Sequence, residues 1–313
     1  MDKLPPIVMP KIEYNREFPF TDSDFERIRK LIYKEAGISL NPSKKDMVYG
    51  RLVRRIRELK LGGFADYVNL LESFQGKREF EQFVNALTTN LTFFFREEHH
   101  FPILAEHLKQ KGAQGELALW CAASSTGEEP YSLAMTVLET FRGLQPKVSI
   151  LATDLDTSVL ETGRKGIYPA DKVARLPAGH AQKYFDKLPD GSFQAKPLLR
   201  NMITFSRLNL IEPNWSVHKQ FDAIFCRNVM IYFDRDTQFA VLKRFVPLLK
   251  PDGLLFVGHS ENFYFASDYF HLRGKTVYEH DRTRNAATLW QCGPECRSLW
   301  WWRRYLQGDG PSD

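Results

Sequence analysis

The sequence lacks any long hydrophobic run. No uninterrupted apolar stretch approaches the roughly 20 residues that a membrane-spanning helix requires. The N-terminal stretch MDKLPPIVMPKIEYNREF also lacks the continuous apolar region of a secretory signal. Hydrophobic residues at 43% and charged residues at 26% are ordinary for a globular chain and exclude a disordered chain, a collagen and a coiled-coil rod. We therefore expect a cytosolic protein with no direct membrane insertion.

Cysteine is scarce, with only 4 among 313 residues. Cys121 and Cys226 lie in apolar, strand-like runs, whereas Cys292 and Cys296 lie near the C-terminus. The chain has no CxxC pair and no His-rich segment that could complete a zinc site. We therefore expect buried thiols at the first two positions, no disulfide framework and no metal.

The chain also lacks a large excess of charge of one sign. The 43 Lys and Arg residues against 38 Asp and Glu give a net charge of +5, which is only mildly basic. Nucleic-acid binding needs basic charge concentrated on one face, and the sequence contains no RNA-reading aromatic motif. We therefore expect no nucleic-acid partner.

The first part of the chain predicts a small all-helical domain. Residues 1–20 are Pro-rich and irregular, but Thr21 and Asp22 then offer helix caps, and apolar residues recur at helical spacing until Gly37. A second helix is predicted in DMVYGRLVRRIRELKL, stopped by Gly62 and Gly63. Two more are predicted in FADYVNLLESF and REFEQFVNALTTNL, so the helical domain covers 21–88.

Strands and helices alternate in the second domain, at residues 89–280. Short apolar strands are predicted at 116–123, 148–156, 221–229 and 253–261, with helices between them, and the segment 236–253 is predicted as a helix closed by a Pro-Asp-Gly turn. This order is typical of a parallel α/β sheet. The stretch 163–205 breaks the rhythm and predicts an inserted subdomain, and 281–313 is a divergent tail with no assigned role.

The loop after the first strand, CAASSTGEEPYS, indicates a nucleotide-like ligand at the carboxyl ends of the strands. It is neither a GxGxxG fingerprint nor a P-loop, and its acids Glu128 and Glu129 disfavour a pyrophosphate. Asp154 ends the next strand, where an acid typically accepts hydrogen bonds from ribose hydroxyls. These features favour S-adenosylmethionine, with NAD as the rival.

Five sequence blocks resemble the CheR family of chemotaxis receptor methyltransferases, in matching order and spacing over about residues 20–280. They are NLTFFFREEHHFPIL (90–104), LWCAASSTGEEPYSLAM (119–135), ILATDLDTSVLETGRKGIYP (150–169), FDAIFCRNVMIYFD (221–234) and LKPDGLLFVGHSE (249–261). The resemblance implies a fold with an N-terminal all-helical domain. A Rossmann-like class I S-adenosylmethionine-dependent methyltransferase domain with a small inserted β-subdomain follows it. The implied reaction is methylation of glutamate side chains in the cytoplasmic helical domain of chemoreceptors, in bacterial chemotaxis adaptation.

The resemblance also implies the residues of the site. The catalytic residues are Arg96, which can orient a carboxylate, and Tyr232, which can donate its hydroxyl to that carboxylate or line the methyl group. No general base is needed, because a glutamate is already ionised near neutral pH. The cofactor contacts implied by matching positions are Asn90, Thr92, Arg96, Glu129, Asp154, Asn209, Leu210, Arg227 and Asn228. His99 and His100 follow Arg96 in an apparent helix and are expected to serve packing rather than acid–base chemistry.

The second predicted helix, DMVYGRLVRRIRELKL, is rich in arginine and offers a candidate docking surface for an acidic receptor helix. Its arginines are Arg51, Arg54, Arg55 and Arg57, of which Arg54 and Arg57 can share one face. The resemblance further implies a monomer that is cytoplasmic and recruited to membrane-bound receptor arrays. The short segment DKLPDGSFQAKP disfavours tethering by a receptor's C-terminal peptide. Two rivals remain: a methyltransferase of the same fold acting on another carboxylate or a small molecule, and a non-catalytic ligand-sensing module.

Overall fold

The computed structural model describes residues 16–112, 115–144 and 146–280. Contacts divide the chain into two compact units, with the division between Thr89 and Asn90. Residues 1–15 of the predicted irregular segment 1–20 lie outside the described residues, as does the divergent tail at 281–313 with Cys292 and Cys296. Within the described residues, no helix combines the length and the apolar character needed to cross a membrane.

The first unit is all-helical, as the sequence predicts. Its helices are α1 (Asp22–Ala36), α2 (Lys45–Glu58), α3 (Phe64–Glu72) and α4 (Lys77–Leu87). Helix α1 begins with a capping box, in which Thr21 and Asp24 each accept a hydrogen bond from the other's backbone N–H, and ends at left-handed Gly37. Helix α2 ends at Glu58, before the predicted stop at Gly62 and Gly63.

The second unit is an α/β domain built on one large sheet. Its helices are α5 (His100–Lys111), α6 (Glu128–Thr140), α7 (Thr157–Lys165), α8 (Ala170–Val173), α9 (His180–Tyr184), α10 (Pro197–Arg200) and α11 (Arg235–Phe245). Its strands are β1 (Glu116–Cys121), β2 (Lys147–Asp154), β3 (Ile167–Tyr168), β4 (Phe185–Lys187), β5 (Phe193–Ala195), β6 (Ile203–Arg207), β7 (Phe221–Cys226), β8 (Leu249–Val257), β9 (Phe270–Gly274) and β10 (Val277–His280).

The large sheet has the strand order β6-β2-β1-β7-β8-β10-β9. Strands β6, β2, β1, β7 and β8 are parallel, and β10 pairs antiparallel with both β8 and β9. The chain builds outward from β1 in one direction through β2 and in the other through β7, so the strand order reverses beside β1. Ligands of open α/β sheets bind at such a reversal, outside the carboxyl ends of the strands.

Apolar side chains cover both faces of the large sheet. Leu119 and Cys121 of β1 belong to one buried cluster, while Ala118 and Trp120 between them belong to the cluster on the other face. This alternation follows from the period of two along a strand. The six residues of β7 are all buried, as expected for a central parallel strand. The predicted burial of Cys121 and Cys226 is confirmed.

The inserted segment forms a small separate sheet with the order β3-β5-β4. It is narrower than the predicted 163–205, because residues 163–165 complete α7 and β6 pairs with β2 in the large sheet. Strand β6 escaped prediction because it is an edge strand. Only Ile203 of its residues is buried, so its sequence lacks a continuous apolar run.

The segment around Pro251 corrects the predicted helix at 236–253. Helix α11 ends at Phe245, one 3₁₀ turn follows at Val246–Leu248, and Pro251-Asp252-Gly253 lies inside β8. The pairing with β7 shifts register there, since Phe221 lies opposite Leu249 and Ala223 opposite Leu254. A bulge tolerates proline within a sheet because the extra residues need not donate to the ladder.

Candidate active site

The loop between β1 and α6 lies at the carboxyl ends of the central strands. The backbone N–H of Ser124 donates to Thr153 O at 2.9 Å, and that of Ser125 donates to Asp154 Oδ2 at 2.8 Å. Ser125 and Gly127 both have positive φ, at 47° and 97°. A Cβ on Gly127 would lie 2.8 Å from the Tyr168 hydroxyl and 2.9 Å from Gly163 Cα, so only glycine fits this turn.

Asp154 presents a half-buried carboxylate at the end of β2. Its Oδ1 accepts from Asp156 N at 3.0 Å, and burial raises its pKa to about 6 against the backbone hydrogen bonds that favour ionisation. The cap of α7 is Asp156 instead, which accepts from the backbone of Ser158 and Val159. Asp154 is therefore not occupied as a helix cap.

Asn90 lies beside Asp154 in this arrangement. Its side-chain amide donates to Asp156 Oδ2 at 2.9 Å, and its carbonyl accepts from Ser125 Oγ at 3.1 Å. The start of the NLTFFFR block is therefore joined to both the β1–α6 loop and the end of β2. Thr92 is half-buried two residues further on.

Residues 94–99 form turns and bends rather than the helix that the sequence indicated around Arg96. Phe95 and Glu97 both have positive φ, and α5 begins only at His100. Arg96 is half-buried, donates to Leu91 O at 2.7 Å and lies 5.9 Å from the Phe93 ring centre. Its orientation is set by this loop and not by a helix face.

Glu129 and Arg227, both predicted to contact the cofactor, form a buried ion pair. Arg227 Nη1 donates to Glu129 Oε2 at 2.5 Å, and the Cys121 thiol donates to Glu129 Oε1 at 3.1 Å. Arg227 Nη2 also donates to the Arg96 carbonyl at 2.5 Å. The pair joins the start of α6, the end of β7 and the Arg96 loop. Because the two charges neutralise each other, Glu129 is not an isolated negative charge in the site.

Glu97 is a member of this network that the sequence reasoning missed. Its Oε2 lies 3.2 Å from Arg227 Nη2, and its Oε1 accepts from Asn228 Nδ2 at 3.2 Å and His259 Nδ1 at 3.1 Å. Burial opposes ionisation of Glu97, but the Arg227 guanidinium and the hydrogen bonds from His259 and Asn228 outweigh it and lower its pKa to about 2. The sequence signal that could have identified Glu97 is its position directly after Arg96.

The turn after β7 carries two further predicted residues. Asn228 has a positive φ of 58°, and Tyr232 is half-buried at the end of the 3₁₀ turn Met230–Tyr232. The Gln238 side-chain amide donates to Met230 O at 2.8 Å and to Phe233 O at 3.1 Å, which ties this turn to α11.

Asn209 and Leu210 lie just after β6 and are both buried. The Asn209 side-chain oxygen accepts from Ile211 N at 3.2 Å, and Leu208 N donates to Asp154 O at 3.0 Å. The segment is therefore held next to the end of β2. The predicted contact of Asn209 with the adenine edge stays a prediction.

Two of the four predicted docking residues on α2 make contacts within the helical unit. Arg51 donates to the carbonyls of Leu87 and Thr88 at the end of α4, at 2.7 and 2.8 Å. Arg55 pairs with the buried Glu79 at 2.7 Å. These two arginines are engaged in holding the helices together, which argues against a docking role for them.

Arg54 and Arg57 are different, because their side chains are 82% and 58% exposed. Arg54 pairs with Glu58 at 3.0 Å, and Arg57 pairs with Glu17. They are the two predicted docking residues that stay available at the surface of the helical unit.

A cluster of possible metal ligands occurs in the described part of the chain at Glu97, His99 and His100, whose ligand atoms lie within 4.8 Å of one another. Burial and the nearby positive charge of Arg227 lower the pKa of His100 to about 4. The same guanidinium, 3.2 Å from Glu97 Oε2, would repel a metal ion. The cluster gives no support for a metal site.

The strand order, the small-residue loop after β1 and the acid ending β2 together define a Rossmann-like domain with a site for a nucleotide-like ligand at the carboxyl ends of its strands. The family model "CheR methyltransferase, all-alpha domain" matches residues 23–88, and "CheR methyltransferase, SAM binding domain" matches residues 90–278. The chain belongs to the CheR methyltransferase family. The predicted fold class and cofactor are thereby confirmed.

Known relatives agree with this assignment. The chain is 50% identical over 270 residues to the chemotaxis protein methyltransferase of Escherichia coli (strain K12), covering 85% of this chain and 94% of that protein. It is 47% identical over 268 residues to chemotaxis protein methyltransferase 2 of Pseudomonas aeruginosa, covering 84% and 95%. With the protein of Borreliella burgdorferi the identity is 37% over 258 residues, covering 80% and 91%.

Proposed function

We propose that this chain methylates glutamate side chains in the cytoplasmic helical domain of chemoreceptors, forming glutamate methyl esters during bacterial chemotaxis adaptation. The observation that carries the proposal is that Ser125 of the β1–α6 loop binds both Asp154 and the Asn90 carbonyl at the carboxyl ends of the strands, while Arg227 holds the Arg96 loop there. The relatives named as chemotaxis protein methyltransferases support the biological setting. Recruitment to membrane-bound receptor arrays follows from such a substrate.

The residues present fit S-adenosylmethionine. Asp154 offers a half-buried carboxylate to ribose hydroxyls, and the small side chains of Ala122, Ser124 and Ser125 leave the backbone of the loop open to a close approach. The buried Ser124 hydroxyl has no hydrogen-bond partner among the described residues, as expected for a group whose partner is a ligand. When bound, the cofactor supplies a methyl group on a positively charged sulfur, already activated for transfer.

The substrate carboxylate needs orientation rather than activation. An ionised glutamate is itself a nucleophile near neutral pH, so no side chain has to remove a proton from it. Arg96 can hold a carboxylate by paired N–H groups, and Tyr232 can donate its hydroxyl to the same group. Holding the reacting oxygen close to the methyl group is the main contribution that these residues make.

The test is transfer of labelled methyl groups to membranes that contain the organism's full receptor set. We expect labelled receptors whose label is released by mild alkali, because esters are alkali-labile. Arg96→Ala should lower turnover by about 100-fold, the scale of a misplaced reacting group. Arg142→Ala, at an exposed arginine of the same unit, should leave turnover unchanged.

Three outcomes would contradict the proposal. Alkali-stable label would indicate N-methylation. Label confined to small molecules would favour a methyltransferase of the same fold with another substrate. Cofactor binding without any transfer would favour a ligand-sensing module.

A further inference from the structure

Glu261 lies in the turn that follows β8 and is buried, with 4% of its surface exposed. Its carboxylate accepts hydrogen bonds from 4 backbone N–H groups: Gly258 at 2.5 Å, Asn228 at 2.9 Å, Val229 at 3.0 Å and Met230 at 2.8 Å. Three of these donors are consecutive residues of the turn after β7. One side chain therefore joins the carboxyl ends of β7 and β8.

The backbone of the β7 turn depends on this acceptor. Three successive N–H groups point to one carboxylate, and the first of these residues, Asn228, takes a left-handed conformation with φ of 58°. Without the carboxylate these amides would be buried with no partner, and each such group is costly. Repulsion between them would favour a different path for the turn.

We propose that Glu261 is a positioning residue for methyl transfer, because its carboxylate sets the turn that places Asn228 and Tyr232. The proposal rests on the proposed function, which gives Tyr232 its role at the substrate carboxylate, and on the predicted cofactor contact of Asn228. Glu261 itself acts through the backbone of the turn.

Gly258 provides a second, independent observation. A Cβ at this position would lie 2.3 Å from Asn228 Nδ2, 2.9 Å from Asn228 N and 2.9 Å from Glu261 Oε2. The two turns therefore approach each other as closely as a glycine allows. The Asn228 side chain continues from this contact to Glu97, which lies 3.2 Å from Arg227. The position of Glu261 is thus transmitted to the buried ion pair of the site.

A carboxylate suits this role and an amide does not. Both carboxylate oxygens accept hydrogen bonds, whereas glutamine has one accepting oxygen and an NH₂ group that would face backbone donors. Glu261→Gln preserves shape and removes acceptor capacity. Asp222→Asn is the matched control. Asp222 is, like Glu261, a buried acid that accepts a backbone hydrogen bond, here from Ala118 N, but it lies at the opposite end of β7 and pairs with Lys250.

The experiment compares both variants with the wild-type chain by calorimetric binding of S-adenosylhomocysteine, by kcat and KM for the cofactor, and by thermal unfolding. For Glu261→Gln we expect S-adenosylhomocysteine affinity to fall about 10-fold and kcat at saturating cofactor to fall about 10- to 100-fold. Asp222→Asn should lower the unfolding temperature while kcat and affinity stay within about twofold of wild type. Glu261→Gln that matches Asp222→Asn in both kcat and affinity would overturn the proposal.

If Glu261→Gln does not fold, Gly258→Ala tests the proposal instead. This variant keeps the Glu261 carboxylate but places a methyl group against Asn228, so it should also weaken S-adenosylhomocysteine binding about 10-fold. Unchanged affinity in Gly258→Ala would overturn the proposal. These affinities are measured without any receptor. A failure to methylate receptors by the wild-type chain would therefore count against the proposed function and leave the decision on Glu261 intact.

Discussion

Two carboxylates of the site, Glu97 and Asp154, have pKa values displaced in opposite directions. Glu97 lies against the Arg227 guanidinium, which keeps it ionised despite burial. Asp154 accepts from the backbone N–H groups of Ser125 and Asp156, and burial raises its pKa to about 6. A buried charge is stable only when opposite charge or several donors surround it. Glu97 is therefore suited to holding structure, and Asp154 is suited to exchanging partners with a ligand.

Asp154→Ala should weaken binding of S-adenosylhomocysteine by about 1–3 kcal/mol, the scale of an unpaired polar contact. In the wild-type chain the affinity should also fall as the pH drops from 7.5 to 5.5, because protonation of Asp154 removes an acceptor for ribose hydroxyls. Calorimetry at both pH values checks each expectation.

Asp171→Ala, at an exposed acid of the same unit, serves as the control and should bind as the wild type does. Unchanged affinity in Asp154→Ala would remove Asp154 from the cofactor site. A pH dependence that persists in Asp154→Asn would assign the titration to another group.

At the scale of elements, the start of α5 is anchored on the hairpin of β9 and β10. His100 Nε2 lies 3.1 Å from Lys275 O and 3.0 Å from Thr276 Oγ1. Lys275 and Thr276 both have positive φ, as a tight two-residue hairpin turn requires. The sequence contains neither Asn-Gly nor Asp-Gly there, which is why this hairpin escaped prediction. A buried neutral histidine holds the turn instead.

His100 makes the stability of the fold depend on pH. Burial and Arg227 lower its folded pKa to about 4, whereas an unfolded histidine titrates near 6.5. The contribution of neutral His100 to the free energy of unfolding is intact above pH 6.5. It is lost as the pH falls toward 4, because in this range the histidine is protonated in the unfolded state and not in the folded state. The free energy of unfolding should fall by about 2 to 3 kcal/mol from this group between pH 7.5 and 4.5.

His100→Gln should flatten the dependence of the free energy of unfolding on pH, since glutamine can still donate to Lys275 O and cannot gain a proton. Chemical denaturation at a series of pH values measures this dependence. His218→Gln, at an exposed histidine, should retain the wild-type slope. An equal slope in wild type and His100→Gln would assign the effect to other groups.

At the scale of the whole molecule, the proposed roles divide between the two units. The α/β unit contains all the residues assigned to the cofactor and the reaction, and the helical unit contains the exposed Arg54 and Arg57. Exposed charge pairs add little net affinity, about 0–1 kcal/mol each, but exposed charges raise the rate of encounter with an oppositely charged partner. Docking and chemistry should therefore be separable by mutation.

Arg54→Glu combined with Arg57→Glu should raise the apparent KM for receptor, flatten its dependence on salt and leave S-adenosylhomocysteine affinity unchanged. Methylation rates over a range of salt and receptor concentrations measure the effect. Lys77→Glu combined with Arg78→Glu is the matched control, with the same charge change at exposed positions of α4. Normal methylation efficiency at low salt in the first variant, or an equal loss in both, would contradict a docking role for Arg54 and Arg57.

Periodicity alone determined the broad architecture. Apolar spacing and the caps at Thr21 and Gly37 predicted the helical unit, because these signals act between residues near in sequence. The same holds for the strands β1, β2 and β7, whose short apolar runs in the sequence are bounded by turn residues. Candidate positions such as Asp154 and Arg96 were accessible from their blocks, since each lies at a recognisable place after a strand or within a motif.

Only the tertiary structure decided which of these charges meet. Glu97, Glu129 and Arg227 are far apart along the chain, and their pairing depends on how the strands are ordered in space. The same reason explains why the sequence predicts Arg51 and Arg55 as docking residues, although both contact residues of α4. Periodicity reports which side of an element is apolar. It does not report which polar groups from distant segments will share a buried site, because long-range packing sets those distances.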